Sequence, residues 1–163
     1  MYLKRIADLR EDNDLTQKEV ALFLGVHRST YSKWENGDNN IPLLLLDKLA
    51  VKYDVSLEYI FGFQNEKKNK NITYNKLNKN ILCLNMKIIR KRHKYTQTKM
   101  AKKLLVSKAT YSRYERGLLI IPIDKFYMLE GIFGISLDAI AGKSKLKEQN
   151  TFTSSVEDNK IRL

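Results

Sequence analysis

The sequence repeats itself with an offset of 80 residues. Between positions 9–62 and 89–142, which align without a gap, 18 of 54 residues are identical. The matches include the tripeptide Thr30-Tyr31-Ser32, which recurs as Thr110-Tyr111-Ser112. Identity this dense over an ungapped stretch indicates duplication of one folded unit. The repeat therefore predicts two copies of a small domain rather than one domain of 163 residues.

Composition changes at the borders of the repeat. We predict a first domain over residues 1–62 and a second domain over residues 80–142. Residues 63–79 lie between them and are rich in Asn and Lys, a composition typical of a linker. Residues 143–163 are polar again, and we expect them to form a flexible tail.

Each copy has the pattern of short helices, and the first copy carries the clearer signals. Thr16 and Glu19 have the spacing of a capping box at a helix start, and Gly25 suits the end of that helix. The next helix is predicted to begin near Arg28. Two short helices joined by a glycine turn within about twenty residues form a helix-turn-helix. Pro42 suits the first turn of a fourth helix, and Ser56 can cap a fifth.

The second copy departs from the first around its turn. Leu105 replaces Gly25, so the turn must either strain a left-handed residue or change shape. Lys99 replaces Glu19, which removes the capping box. Ser107 replaces His27 and is the better N-cap residue.

The charge favours a polyanionic partner. The chain has 30 Lys and Arg against 18 Asp and Glu, a net charge of +12. Residues 81–142 carry 12 basic and 4 acidic side chains, whereas residues 1–62 carry 8 and 10. Such a basic surface attracts nucleic acid or an acidic membrane. The basic residues do not lie on a strongly apolar helix, and no apolar run approaches the roughly 20 residues that span a bilayer. Nucleic acid is therefore favoured over a membrane.

The remaining composition excludes several other classes. The single Cys83 allows no internal disulfide and fits a reducing cytoplasm, where we expect the protein to act. The N-terminus has no apolar signal core. Two His and one Cys cannot supply a zinc site of the usual ligand types, and no phosphate-binding glycine loop or catalytic triad pattern is present. We therefore predict no cofactor, no metal and no enzymatic activity.

The combined motif resembles a known family. Thr16-Gln17-x-x-x-Ala21-x-x-Leu24-Gly25-Val26, followed by Thr30 to Gly37, is similar to the phage-repressor and Cro type (XRE family) of helix-turn-helix domain. The resemblance covers both copies. It implies an all-α fold of two five-helix, lambda-repressor-like domains joined by a polar linker. It also implies a bacterial or phage transcriptional regulator that binds double-stranded DNA.

The same resemblance assigns roles to individual residues. The third helix of each unit would read base edges in the major groove. The base-contacting positions fall on His27, Arg28, Ser29 and Lys33 and on Ser107, Lys108, Ala109 and Arg113. Phosphate contacts are expected, from the resemblance and from charge, at Gln17, Lys18, Asn36, Gln97, Lys99, Lys102 and Arg116. The family's structural ion pairs fall on Arg10 with Glu35 and on Arg90 with Glu115.

The two units differ at their reading positions, so we expect two unlike half-sites rather than a perfect palindrome. A flexible linker of about 16 residues would span roughly 20–24 Å on average and about 55 Å when taut. Successive major-groove faces lie about 34 Å apart, so both units could reach one duplex. We further expect the basic second unit to supply most of the salt-sensitive attraction and the first unit more of the discrimination.

A second function class stays open. The chain could be a protein-interaction module, such as an antitoxin or a regulator antagonist, because the first unit is slightly acidic. Leu118, Leu119 and Ile120 also replace the polar Asp38, Asn39 and Asn40. This apolar patch is either ordinary local packing or a contact with the first unit, a second copy or another protein.

Overall fold

The computed structural model describes residues 1–68 and 75–146, and within these ranges the chain is helical without strands. The first unit consists of α1 (Lys4–Glu11), α2 (Gln17–Leu24), α3 (Arg28–Glu35), α4 (Leu43–Lys52) and α5 (Leu57–Phe61). The second consists of α6 (Lys79–Arg92), α7 (Gln97–Lys103), α8 (Lys108–Glu115), α9 (Ile123–Phe133) and α10 (Leu137–Ile140). The predicted all-α fold of two five-helix units is confirmed.

The helix ends follow the residues that specify them. The Thr16 hydroxyl accepts from the Glu19 amide, and the Glu19 carboxylate accepts from the Thr16 amide, which completes the capping box. Thr96 keeps only the first of these bonds, to the amide of Lys99. Leu105 takes the strained alternative, with φ +55° where Gly25 has φ +75°. The second unit thus keeps the turn of the first at a conformational cost.

Each unit has a core in which the third helix is central. Tyr31 and Tyr111 are fully buried at equivalent positions of α3 and α8, and Trp34 and Tyr114 follow one turn later. Burial of one face by these aromatic rings holds α3 and α8 against their own units. Their opposite faces are left to solvent.

The two units dock through their last helices, α5 and α10. The Asp138 carboxylate accepts hydrogen bonds from the amides of Leu57 (3.1 Å) and Glu58 (3.2 Å). In return, Glu58 Oε1 accepts from the amide of Asp138 at 3.0 Å. Both side chains are buried. Each carboxyl group therefore caps the start of the helix that belongs to the other unit.

Aromatic and ionic contacts extend this interface. Phe61 packs on Phe126 and Tyr127, and Phe63 stacks on Tyr127 with ring centroids 4.9 Å apart. The Lys143 ammonium lies 2.5 Å from Asp47 Oδ1 at a site where both side chains are nearly inaccessible. The relative placement of the units is consequently set by a packed interface.

The docking changes the interpretation of the linker and tail. Asp47 Oδ2 accepts from the Leu77 amide, and the Asn75 carbonyl accepts from Lys143 Nζ, so the end of the linker is anchored. Lys143, the first residue of the predicted tail, is buried. Linker length therefore does not set the spacing of the units. Residues 69–74 and 147–163 lie outside the described residues.

Candidate nucleic-acid interface

The residues expected to read bases lie on the outer faces of α3 and α8 or at the position directly before each helix. In both units, the side chains at these positions are exposed: His27, Arg28, Ser29 and Lys33, and Ser107, Lys108, Ala109 and Arg113. Because the opposite faces of these helices are buried, the exposed residues point away from the core. The arrangement satisfies the first requirement for a helix that enters a groove.

The two helices begin differently. The Ser107 hydroxyl accepts from the Thr110 amide at 3.0 Å and lies 2.9 Å from the Thr110 hydroxyl, so it caps α8 as predicted. His27 occupies the same position before α3 without a side-chain capping bond. The His27 ring is therefore freer to meet a partner than the Ser107 hydroxyl.

A cleft brings reading and phosphate candidates together in each unit. The first cleft, about 520 Å³, is lined by Arg28, Gln17 and Lys18 together with Arg10 and Thr16. The second, about 640 Å³, has lining residues on α7, on α8 and in the loop that follows it: Gln97, Lys108, Ala109, Ser112, Arg113, Arg116 and Leu118. In the second unit, three cationic side chains thus surround one concave surface.

A buried ion pair positions the glutamine of each cleft. Arg10 Nε lies 2.7 Å from Glu35 Oε1, and Gln17 Nε2 donates to Glu35 Oε2 at 2.9 Å. The second unit repeats this geometry, with Arg90 at 2.5 Å and Gln97 at 2.9 Å from Glu115. The glutamate therefore ties together the first, second and third helices of its unit and fixes the orientation of the glutamine amide.

The ion pairs keep the two glutamates charged. Burial alone would raise the pKa of Glu35, but hydrogen bonds from Arg10 and Gln17 hold that pKa below its ordinary value. The pKa of Glu115 is lowered by the equivalent bonds, again against the effect of burial. Burial in turn raises the pKa of both Tyr31 and Tyr111, so these phenols stay protonated.

The other phosphate candidates are spread more widely. Lys18, Asn36, Lys99, Lys102 and Arg116 are all exposed. The Lys99 ammonium lies 4.5 Å from the centre of the Tyr95 ring, a cation–π contact that leaves the charge at the surface. Of these five residues, Lys18 and Arg116 line the clefts, whereas the others lie outside them.

The structure adds two residues to the second cleft, Ser112 and Leu118. Leu118 is 54% exposed and Leu119 is 36% exposed, whereas Ile120 packs against the core. The three-residue apolar patch therefore divides, and Ile120 accounts for the part that is local packing. The sequence indicates only that Leu118 follows α8 closely. Whether its side chain enters the cleft depends on the turn at Gly117, which the sequence alone does not fix.

Two features of the described residues bear on the class of site. Within residues 1–68 and 75–146, no group of three or more His, Cys, Asp or Glu side chains could hold a metal ion. In the same ranges, no helix is long and apolar enough to cross a membrane.

Two five-helix units, each with an exposed third helix, define a tandem helix-turn-helix protein. The sequence pattern of the family described as Helix-turn-helix matches twice, at residues 6–60 and 86–140. The chain therefore belongs to the XRE-type helix-turn-helix family of DNA-binding transcriptional regulators.

Three relatives share part of this sequence. The chain is 39% identical over 62 residues to the antitoxin PezA of Streptococcus pneumoniae serotype 4, covering 38% of this chain and 39% of the relative. It is 36% identical over 66 residues to the uncharacterized HTH-type transcriptional regulator YobD of Bacillus subtilis, covering 40% and 59%.

It is also 40% identical over 57 residues to the cryptic phage CTXphi transcriptional repressor RstR of Vibrio cholerae, covering 35% of this chain and 51% of the relative. The matches thus span between 39% and 59% of the length of these relatives. No solved structure gives a significant match.

Proposed function

We propose that this chain is a non-enzymatic, cytoplasmic transcriptional regulator that binds one DNA duplex with both of its units. The observation that carries the proposal is the pair of exposed helices, α3 and α8, on units that a buried interface holds together. The two regulators named among the relatives support the same class of function. A single chain would then place two helices on one DNA duplex, as a symmetric dimer does with two chains.

The unlike reading positions predict two unlike half-sites. Arg28 can donate two hydrogen bonds to a guanine, whereas Lys108 at the equivalent position is a single flexible charge. Ala109 replaces Ser29 and offers only an apolar contact, to a thymine methyl group. The bound sequence should therefore lack the two-fold symmetry of a dimer operator.

The docked interface makes the spacing of the half-sites testable. We would select bound sequences from random DNA with the full chain, and then insert about five base pairs, half a helical turn, between the two half-sites. A rigid pair of units should lose at least tenfold in affinity, because one reading helix then faces the wrong side of the duplex. Unchanged affinity would mean that the units act independently and would contradict the docked mechanism.

Point variants test the reading helices themselves. Arg28→Ala and Lys108→Ala should each relax selectivity at one position of one half-site, at about 1–3 kcal/mol for the Arg28 contact. Lys48→Ala is the matched control, an exposed lysine on α4 outside both clefts. All three residues are exposed, so unfolding is not expected to mask the result.

A second function is supported by a separate observation. Leu118 and Leu119 are exposed, and an antitoxin is among the relatives. A protein partner, or a second copy of the chain, could cover this patch. A mobility-shift experiment with random DNA at low salt separates the two functions: a DNA-binding chain of this charge should shift the DNA, and an unshifted duplex would favour the protein-interaction module.

A further inference from the structure

Leu118 is an apolar side chain held in an otherwise cationic cleft. Gly117, with φ +67°, turns the chain back at the end of α8, and the Leu118 amide donates to the Arg113 carbonyl at 2.9 Å. The backbone of Leu118 is thereby fixed to the last turn of the reading helix. Its side chain nevertheless stays 54% exposed, so core packing does not account for it.

The chemistry of the cleft limits what could cover this side chain. Lys108, Arg113 and Arg116 line the same surface, and Ala109 adds a second small apolar area. A ligand that fits must be anionic and must also carry an apolar group within reach of Leu118. The major groove of DNA offers both, since thymine places its C5-methyl group there beside the phosphate backbone.

The first unit provides a natural comparison. Asp38 stands at the position equivalent to Leu118 and is exposed. A carboxylate at this place would repel phosphates and could not make an apolar contact with a methyl group. The two units should therefore differ in their preference for thymine at this edge of the half-site.

We propose that Leu118 is a specificity-determining residue of the second unit, and that it contacts the C5-methyl group of a thymine beside the bases reached from α8. The inference rests on the proposed reading of DNA by α8. This role would add a loop residue to the DNA-reading surface of the second unit. It would also give the second half-site a preference for thymine that the first half-site lacks.

The experiment deletes the methyl group without changing base pairing. In the DNA selected by the full chain, each thymine of the second half-site is replaced in turn by deoxyuridine. At the thymine that Leu118 contacts, the wild-type chain should lose about fourfold in affinity, the value expected for one buried methyl-sized group. Leu118→Asn should bind thymine and deoxyuridine equally well at that position.

Leu84→Asn is the matched control, since Leu84 is 55% exposed on α6 and does not line the cleft. This control should keep the full methyl effect, and the thermal stability of both variants should match that of the wild type.

Methyl effects that are the same in Leu118→Asn and wild type would overturn the inference while leaving DNA binding intact. Loss of a bound protein or of self-association in Leu118→Asn, with all methyl effects kept, would also overturn it. Failure of the full chain to select any DNA would instead refute the proposed function.

Discussion

At the residue scale, the two copies form the same left-handed turn with different residues. Gly25 adopts φ +75° without a side-chain penalty, whereas Leu105 adopts φ +55° although its side chain is 75% exposed. A left-handed non-glycine residue costs roughly 1–2 kcal/mol. The exposed Leu105 side chain gains little free energy from burial, so the backbone strain at this residue is not compensated.

Leu105→Gly should therefore stabilise the protein. We expect a gain of about 0.5–1 kcal/mol in the free energy of unfolding, because relief of strain exceeds the added flexibility of glycine in the unfolded chain. Gly25→Leu is the reciprocal change and should destabilise by a similar amount. Chemical denaturation of both variants measures the pair, and a Gly25→Leu variant as stable as the wild type would contradict this account of the turn.

The buried ion pair gives a second residue-scale prediction. The Glu115 side chain is 3% exposed, so removing it leaves the Arg90 charge without its partner. Glu115→Ala should cost roughly 3–5 kcal/mol in the free energy of unfolding. The double variant Arg90→Met with Glu115→Leu should recover much of this loss, because no unpaired charge remains. Recovery of none of it would indicate that the bonds to Gln97 and Tyr95 carry the stability instead.

At the element scale, α5 and α10 meet at their N-termini, where their positive dipole ends would repel each other. The exchanged carboxyl groups of Glu58 and Asp138 offset this repulsion and bond the free amides. Two buried carboxyl groups in contact cannot both be ionised at low cost. Burial, a hydrogen bond to Asp138 and repulsion by its charge together raise the pKa of Glu58 from 4.5 to about 8.

The raised pKa of Glu58 makes docking of the units depend on pH. Between about pH 5 and pH 8, the docked form holds a proton that the separated form releases. Docking should therefore be strongest near pH 5, weaken progressively as the pH rises from about 5 to 8, and level off above pH 8, with a total loss on the order of a few kcal/mol. Thermal unfolding between pH 6 and pH 9 measures this.

Glu58→Gln tests the origin of that dependence. Its amide oxygen can still accept from the Asp138 amide, and its NH₂ group can donate to the Asp138 carboxylate. The variant should be as stable at pH 9 as at pH 6, whereas Glu66→Gln, an exposed change, should keep the wild-type profile. A pH dependence that survives in Glu58→Gln would assign it to another group.

At the scale of the whole molecule, charge is unequal between the units that the interface joins. The third helix of the first unit belongs to a nearly neutral unit, and the third helix of the second unit belongs to a strongly basic one. Phosphate contacts release counterions, so they set the dependence of affinity on salt. The second unit should accordingly dominate that dependence.

Charge removal in the full chain tests this division of labour. Lys102→Ala and Arg116→Ala should each reduce the slope of log affinity against log salt by about 1. Lys18→Ala in the first unit should reduce it by less, and Lys48→Ala should leave it unchanged. Equal reductions from Lys18 and Lys102 would refute the division.

The sequence by itself determined the duplication, and within each copy it determined the five-helix unit and the exposure of the predicted base-contacting positions. These properties depend on local spacing: Thr16 and Glu19 specify a helix start, Gly25 specifies its end, and apolar residues at helical intervals leave Arg28 outward. Local signals of this kind can be read because each involves residues within one or two turns of each other.

Only the tertiary structure decided how the units sit together. Glu58 and Asp138 are 80 residues apart in the sequence, and nothing in either local segment indicates that their carboxyl groups are buried against each other. The sequence likewise does not indicate that Asp47 and Lys143 are paired. Each of these buried charges is stable in the interior only because the opposite charge lies beside it. A buried charge needs a partner from elsewhere in the chain, so its placement is a property of the folded whole.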